Sequence, residues 1–392
     1  MAQRVHPPVY IDTNRDLARL AMRLLDQAAV AVDTEANSLF AYRERLCLIQ
    51  ISAAGRDYIV DPLAEIDLGI LSPVFADPGI TKIFHDGEFD VLMLRRAWPF
   101  EFSALFDTKV VTSALGHEHV GLAAVLDRHC GVKLDKRFQR SDWGRRPLSE
   151  GQIDYAALDT HYLIEVAEQL RPELHAAGEP LVLEVAAECR RLAALEPEQR
   201  EFNPDEWVKL KGSDRLDALG RRALRELFVM RDGIARKQNQ PPFKILPTEA
   251  LLSLARTRPA TRSEIQDTRG IPSKLATRYS ADILKAMDGA ASEGPLHDTP
   301  RLFRALDDLT SAERRAYERL RSWRKDYAAE RGTDPALVLS RLTMIELSRV
   351  DPAPSSFQQF ASLAFLEPWR VRHYGEEIYE ALLGPGRRRQ RN

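Results

Sequence analysis

An internal repeat divides the chain. Leu224-Arg225-Glu226-Leu227-Phe228-Val229-Met230-Arg231 recurs 93 residues later as Tyr317-Glu318-Arg319-Leu320-Arg321-Ser322-Trp323-Arg324. Pro242-Phe243-Lys244-Ile245-Leu246 recurs at the same offset as Pro335-Ala336-Leu337-Val338-Leu339, and Arg278–Leu284 resembles Arg372–Ile378. Apolar residues in both copies fall at helical spacing, and Pro and Gly break them into helices of ~10–15 residues. Two small helical domains follow, at 207–290 and 303–384. Asp288–Pro295 reads as the linker between them, and Glu196–Pro204 separates them from a first domain at 1–200. Residues 385–392 form a short basic tail.

Charge follows the same division. Residues 1–200 carry 22 Lys+Arg and 31 Asp+Glu, whereas residues 201–392 carry 34 and 27. A basic second half suits a polyanion. An acidic first half then needs another way to approach one, and bound cations would supply it. Apolar residues make up 44% and charged residues 29%, which excludes a disordered or collagen-like chain. No apolar run approaches the ~20 residues of a membrane span. The first residues lack the pattern of a secretory signal, so a cytoplasmic protein is expected. Cys47, Cys130 and Cys189 are too scattered for a disulfide framework or a CxxC metal site, and buried thiols are expected.

The first half reads as α/β. Ala29–Val32, Leu46–Ile51, Asp57–Asp61 and Lys82–His85 are strand candidates, and short turns between the early ones suggest an antiparallel meander at one edge. Later strands alternate with helices at 88–96, 109–116 and 121–130, and a last helix is expected at about 149–171. A mixed sheet with helices on its faces is the natural packing.

Acidic residues gather at the ends of these elements. Asp33 and Glu35 lie two apart on one strand, so both carboxylates project to one side. Asp90 opens a helix after a later strand. Tyr155 and Asp159 lie four apart and share a helix face. Each feature alone is common on surfaces; their order is distinctive. Asp-x-Glu, then Asp, then Tyr-xxx-Asp resembles the tyrosine-bearing branch of the DEDD exonuclease superfamily. Asp33-Thr34-Glu35, Leu48-Ile49-Gln50-Ile51, Val60-Asp61-Pro62-Leu63, Phe106-Asp107-Thr108 and Trp143-Gly144-Arg145-Arg146-Pro147-Leu148 resemble the ribonuclease D family. The repeated helical units resemble the HRDC domain. The resemblance runs over about 9–384. Asp86 and Glu88 add two further acids before Asp90, making the local field more negative.

The resemblance implies a ribonuclease H-like mixed-sheet exonuclease domain followed by two small helical HRDC-like domains, α/β plus all-α. It implies a metal-dependent 3′→5′ exoribonuclease that trims tRNA precursors and other structured RNAs to nucleoside 5′-monophosphates. Two divalent ions are implied, Mg²⁺ with Mn²⁺ as a substitute. Four carboxylates suit such hard ions, and a two-ion site suits phosphodiester hydrolysis. By resemblance, Asp33, Glu35 and Asp159 hold one ion, Asp33 bridges to a second beside Asp90, and Tyr155 orients the attacking water. The expected partner is RNA and the expected state a monomer.

Other chemistries find less support. No ExxH or HxxxH spacing marks a zinc site, no GxSxG elbow marks a serine nucleophile, and no GxxxxGK[ST] loop marks a nucleotide cofactor. His85 is expected to be structural. The run 133–146 holds six basic residues and two aromatics, and Lys136, Arg137, Arg140, Arg145 and Arg146 are candidate RNA contacts. Trp143 is expected to anchor that loop to the core. Leu39 and Phe40 are candidates for packing on a terminal base. A DNA exonuclease and an RNA-binding scaffold with a dead nuclease domain are the competing functions.

Overall fold

Strand-forming sequence is confined to the first 110 residues, and in the computed structural model these strands build one sheet. The structure describes residues 6–198, 201–300 and 308–384. The strands are β1 (Val9–Ile11), β2 (Ala29–Ala36), β3 (Leu46–Ala53), β4 (Arg56–Val60), β5 (Thr81–Phe84) and β6 (Leu105–Asp107), in the order β1-β4-β3-β2-β5-β6. β3 and β4 pair antiparallel, with Ile51 opposite Tyr58. Their turn uses Ala54 and Gly55, both at positive φ as a tight hairpin requires. β1 joins β4 in parallel, and β2, β5 and β6 are parallel neighbours. The sheet is therefore mixed. Every residue of β3 is buried, which is why its sequence reads as a near-continuous apolar run.

The helices of this region are α1 (Asn14–Leu25), α2 (Ser72–Ala76), α3 (Glu88–Ala97), α4 (Thr108–Ala114), α5 (Leu122–Cys130), α6 (Glu150–His161), α7 (Leu163–Ala176) and α8 (Glu179–Ala193). Two expectations need correction, and two strands have no counterpart among them. The helix expected at 149–171 is two helices, because the backbone at Tyr162 (φ −100°, ψ −3°) breaks it. β1 and β6 are three residues each, too short to show a period in sequence. Asp288–Glu293, expected in a linker, closes a 21-residue helix that ends at Gly294.

The repeat appears as two sets of five helices. The first is α9 (Ala218–Gln238), α10 (Pro242–Ile245), α11 (Thr248–Thr257), α12 (Arg262–Asp267) and α13 (Ser273–Glu293). The second is α14 (Ser311–Arg331), α15 (Pro335–Val338), α16 (Arg341–Ser348), α17 (Phe357–Ala361) and α18 (Pro368–Leu383). The basic run Arg387–Arg391 lies outside the described residues.

The chain forms two compact units. One takes its described residues from 1–35, 46–197 and 304–392; the other takes them from 36–45 and 198–303. In the first unit, the second repeat docks on α8. Leu183 and Ala187 pack against the cluster of Leu320, Trp369 and Tyr374. Glu184, whose side chain is fully buried, accepts hydrogen bonds from Arg331 at 2.8 and 3.2 Å, and Arg190 reaches Glu367 at 3.0 Å. The second unit packs around Trp207, Leu227, Leu251 and Ile283, with Tyr42 against this core. Cys47 and Cys189 are buried as expected, whereas Cys130 is half-exposed. Among the described residues, no helix is long and apolar enough to cross a membrane.

Candidate active site

β2 extends four residues past its apolar run, so Asp33 and Glu35 lie within the strand and keep its alternation. Both are half-buried. Asp90 sits in the first turn of α3 and Asp159 in the last turn of α6, and both are almost wholly buried. The four carboxylates, carried by three elements, feel one another. Burial and then Asp159 push Asp33 well above the usual carboxylate range. Burial, followed by Asp33, Asp159 and Asp90, pushes Glu35 up to about 10. Burial and Asp33 raise Asp90 well above the usual range, and burial and Asp90 raise Asp159 to about 8. The physical cause is shared: several negative charges leave water together.

Each side chain is held by neighbours. Thr34, between the two β2 acids, donates its hydroxyl hydrogen to Asp90 Oδ1 at 2.5 Å. The loop leading to Asp90 hangs on Asp107, which is fully buried at the end of β6. Its carboxylate accepts from the backbone N–H of Asp86 (3.1 Å) and Gly87 (2.7 Å), and also from Lys109 (2.8 Å) and Val110 (3.1 Å) at the start of α4. One carboxylate thus caps a helix and fixes the loop before Asp90. His85 shares a 2.9 Å hydrogen bond with the Thr108 hydroxyl, the structural role expected of it. Asp86 pairs with Lys109, and Glu88 with Arg191 at 2.9 Å, so these two extra acids carry their own counter-charges.

The helix carrying Tyr155 and Asp159 starts at a capping box. The Ser149 hydroxyl accepts from the Gln152 N–H at 3.3 Å, and the Gln152 side chain accepts from the Ser149 N–H at 3.1 Å. Tyr155 lies one turn before Asp159 on the same helix face, and each perturbs the other's titration. Burial, then Asp159, Glu35 and Asp33, raise its hydroxyl above the ordinary phenol range. Its ring is braced by Trp143, 1% exposed, with centroids 6.1 Å apart and planes at 29°, and by Phe138 at 6.4 Å. Gly151 makes room for Phe138: a Cβ there would stand 2.7 Å from Phe138 Cζ.

The structure thus brings together Asp33, Glu35, Asp90, Tyr155 and Asp159. It separates the basic candidates by role. Lys136 and Arg140 are exposed. Arg137 pairs with Asp135 at 2.6 Å and Arg145 with Asp142 at 3.2 Å, both on the surface. Arg146 turns inward: Nε and Nη2 donate to Asp61 at 2.6 and 2.5 Å, and further hydrogen bonds reach the carbonyls of Trp143, Arg145 and Cys47. Leu39 and Phe40 belong to the second unit. Thr34, Asp61 and Asp107 are the supports that sequence reasoning left without a role. Each lies in a motif singled out above, yet the partner it supports at the site or in the loops around it is 20 to 85 residues distant.

The carboxylates suit a hard cation by donor chemistry. Among the described residues, no group of three or more His, Cys, Asp or Glu side chains is already arranged to hold a metal.

Comparison with known proteins shows the family to which these domains belong. A family model described as 3′-5′ exonuclease matches residues 8–175, and one described as HRDC domain matches 221–287 and 313–382. The chain is 32% identical to ribonuclease D of Sphingobium indicum over 298 residues, covering 75% of this chain and 74% of that protein. It is 36% identical over 255 residues to the exosome complex component 10 homolog of Caenorhabditis elegans, covering 64% of this chain and 29% of that one. The chain thus spans about a third of the length of the exosome-type relatives it matches. The crystal structure of Escherichia coli RNase D aligns with a TM-score of 0.64 at 25% identity, covering 96% of this chain and 99% of that chain.

Proposed function

The chain belongs to the ribonuclease D family, and from that premise we propose that it is a metal-dependent 3′→5′ exoribonuclease. It would trim the 3′ ends of tRNA precursors and other structured RNAs and release nucleoside 5′-monophosphates. The observation that carries this reading is the meeting of Asp33, Glu35, Asp90 and Asp159, each with its charge disfavoured until a cation arrives. Asp33, Glu35 and Asp159 would hold one divalent ion, and Asp33 and Asp90 a second. Bound there, Mg²⁺ or Mn²⁺ would activate water and stabilise charge on the leaving oxygen.

The protein's own groups set the geometry. Thr34 and the Asp107-held loop fix Asp90. Tyr155, its hydroxyl raised above the ordinary phenol range, would stay a phenol, with a proton to donate and lone pairs to accept from a water. Its place against Trp143 and Phe138 limits where that water stands. We expect the protein to act as a monomer in the cytoplasm.

A time course on matched 3′-extended tRNA and single-stranded DNA, labelled at the 5′ end, tests this function. It is run with Mg²⁺, Mn²⁺ or EDTA, beside Asp33→Asn. The expected result is stepwise shortening of RNA, lost with EDTA and with the variant. Preferential shortening of DNA would move the protein to DNA-end processing. Bound but uncut tRNA would leave a scaffold.

A further inference from the structure

Asp159 stands in the last turn of α6, where a helix frays most easily. The like charge of Asp90 pushes against it. The capping box at Ser149 secures only the opposite end of the helix. The two residues after Asp159 supply the hold that this end needs.

The β3–β4 pairing sets Ser52 directly opposite Asp57, so both side chains project from one face of the sheet. α6 packs across these two strands. Ser52, Asp57 and Thr160 are all buried. The Ser52 hydroxyl donates to Asp57 Oδ1 at 2.7 Å and meets the Thr160 hydroxyl at 2.7 Å. A hydroxyl has one hydrogen, so Thr160 is the donor of the second bond. The other acceptor in its reach, the Ala157 carbonyl, is 3.5 Å away. His161 Nδ1 lies 2.9 Å from both oxygens of Asp57 and donates to that carboxylate. Its ring stands edge-on to Tyr162, with centroids 4.5 Å apart, at the break between α6 and α7. One buried carboxylate thus ties two consecutive residues of α6 to the sheet, through hydrogen bonds of the stronger, charge-assisted kind. Consecutive helical residues are turned about 100° from each other. With Thr160 facing the sheet, Asp159 is turned aside toward Asp33, Glu35 and Asp90.

We propose that Ser52, Asp57, Thr160 and His161 are positioning residues that hold Asp159 in place for the metal. The proposal rests on the exoribonuclease reading, in which Asp159 is a ligand, and adds to it the support behind that ligand. None of the four is itself a ligand; they act through the helix that carries one. Untethered, the last turn yields to the repulsion of Asp90, and a cation must first draw Asp159 back.

The test measures Mn²⁺ binding by the full chain without RNA, from the electron paramagnetic resonance signal of the free ion. Thr160→Val keeps the shape of the side chain and removes its hydroxyl, and His161→Phe keeps a ring against Tyr162. Thr160→Val is expected to raise the Mn²⁺ dissociation constant ~3-fold and the double variant about tenfold, the low end of what supports behind metal ligands contribute. Thr160→Ser keeps the hydroxyl and should stay within twofold of the parent. Thr112→Val removes an equally buried hydroxyl, bonded to carbonyls of α4, and should leave the affinity unchanged. During cleavage of a labelled oligouridylate, the Mn²⁺ needed for half-maximal rate should rise by the same factors, with KM for RNA unchanged. Several results would overturn the tether: a double variant within twofold of the parent, an equal loss in Thr160→Ser or Thr112→Val, a raised KM without a raised metal requirement, or a loss of affinity that appears only with loss of the native circular dichroism. A parent chain that neither binds Mn²⁺ nor shortens RNA would refute the exoribonuclease reading; a parent that binds, beside variants that bind equally, would overturn the tether alone.

Discussion

Arg146 stands in a run of basic residues that invites an RNA-binding role, yet its geometry is that of a clamp. Asp61 is 4% exposed, and its carboxylate accepts two hydrogen bonds from Arg146, one from Tyr10 at 2.6 Å and one from the Leu63 N–H at 2.9 Å. Burial pushes Asp61 up, but the bonds from Arg146 and Tyr10 outweigh it and hold the carboxyl below its usual range. Removing the guanidinium in Arg146→Met strands a buried charge. Breaking such a pair costs ~3–5 kcal/mol, and because the Arg146 side chain is 26% exposed the low end, ~3 kcal/mol, applies. At ~2–4 °C per kcal/mol for a unit of this size, the midpoint should fall by about 6–12 °C. Thermal unfolding followed by near-UV circular dichroism reads this, since the buried Trp143 offers its carbonyl to the same guanidinium. Asp61→Asn/Arg146→Met should be milder than the sum of the singles, with a coupling of ~1–3 kcal/mol. As a depressed carboxyl, Asp61 contributes this stability above the unfolded carboxylate range near ~4 and loses it as pH falls below. A midpoint shift under ~2 °C, together with a fivefold or greater loss of RNA affinity, would refute the clamp and restore Arg146 to the RNA.

Thr34→Val removes a hydrogen bond to a carboxylate, worth ~1.5–3 kcal/mol, so kcat should fall ~10–100-fold with KM nearly unchanged; a change under twofold would mean that Asp90 is held without it. Tyr155→Phe keeps the ring on Trp143 and loses only the hydroxyl, so kcat should fall ~10²-fold or more while the thermal midpoint moves little. Glu35 and Asp159, raised to about 10 and about 8, bind more protons folded than unfolded. Without a cation, stability should therefore decline as pH rises from the unfolded carboxylate range through those values, and Mg²⁺ should raise the midpoint more at pH ~9 than at pH ~6; equal effects at both would show that the carboxylates do not take up the ion together.

How much of this was legible in the sequence follows from the range of the interactions. β2 and β3 carry apolar runs, and the long helices carry caps and periodicity, so both are visible in a window of a dozen residues. The 93-residue offset placed α10 against α15 with no structural information. β1 and β6 were not visible, because three residues show no period and their strand character comes from β4 and β5. The break at Tyr162 was also hidden, since neither Gly nor Pro marks it and α7 resumes at once. Asp288–Glu293 illustrates the reverse error: Gly289 and Ser292 suggest a loop, but Met287 and Ala290 are buried against the repeat's core and carry the helix through.

Two pairs of the acidic set are legible locally, two residues apart on a strand and four on a helix, whereas Asp90 enters only through the order of the motifs and the family resemblance. The supports of the set are not legible, because each joins positions with no periodic relation. Thr34 meets Asp90 across 56 residues, Asp107 meets Gly87 across 20, and Arg146 meets Asp61 across 85. A basic run looks alike whether its charges face solvent or a buried carboxylate. Only the fold separates Arg146, which satisfies Asp61 and three carbonyls, from exposed Arg140 a few residues earlier. The same reasoning explains the loop 36–45. Its membership of the second unit depends on Tyr42 and Asp232, 190 residues apart, and nothing near Tyr42 in sequence announces that partner. A chain cut at residue 200 would keep the loop's residues but lose the Asp232 and Asn239 contacts of Tyr42.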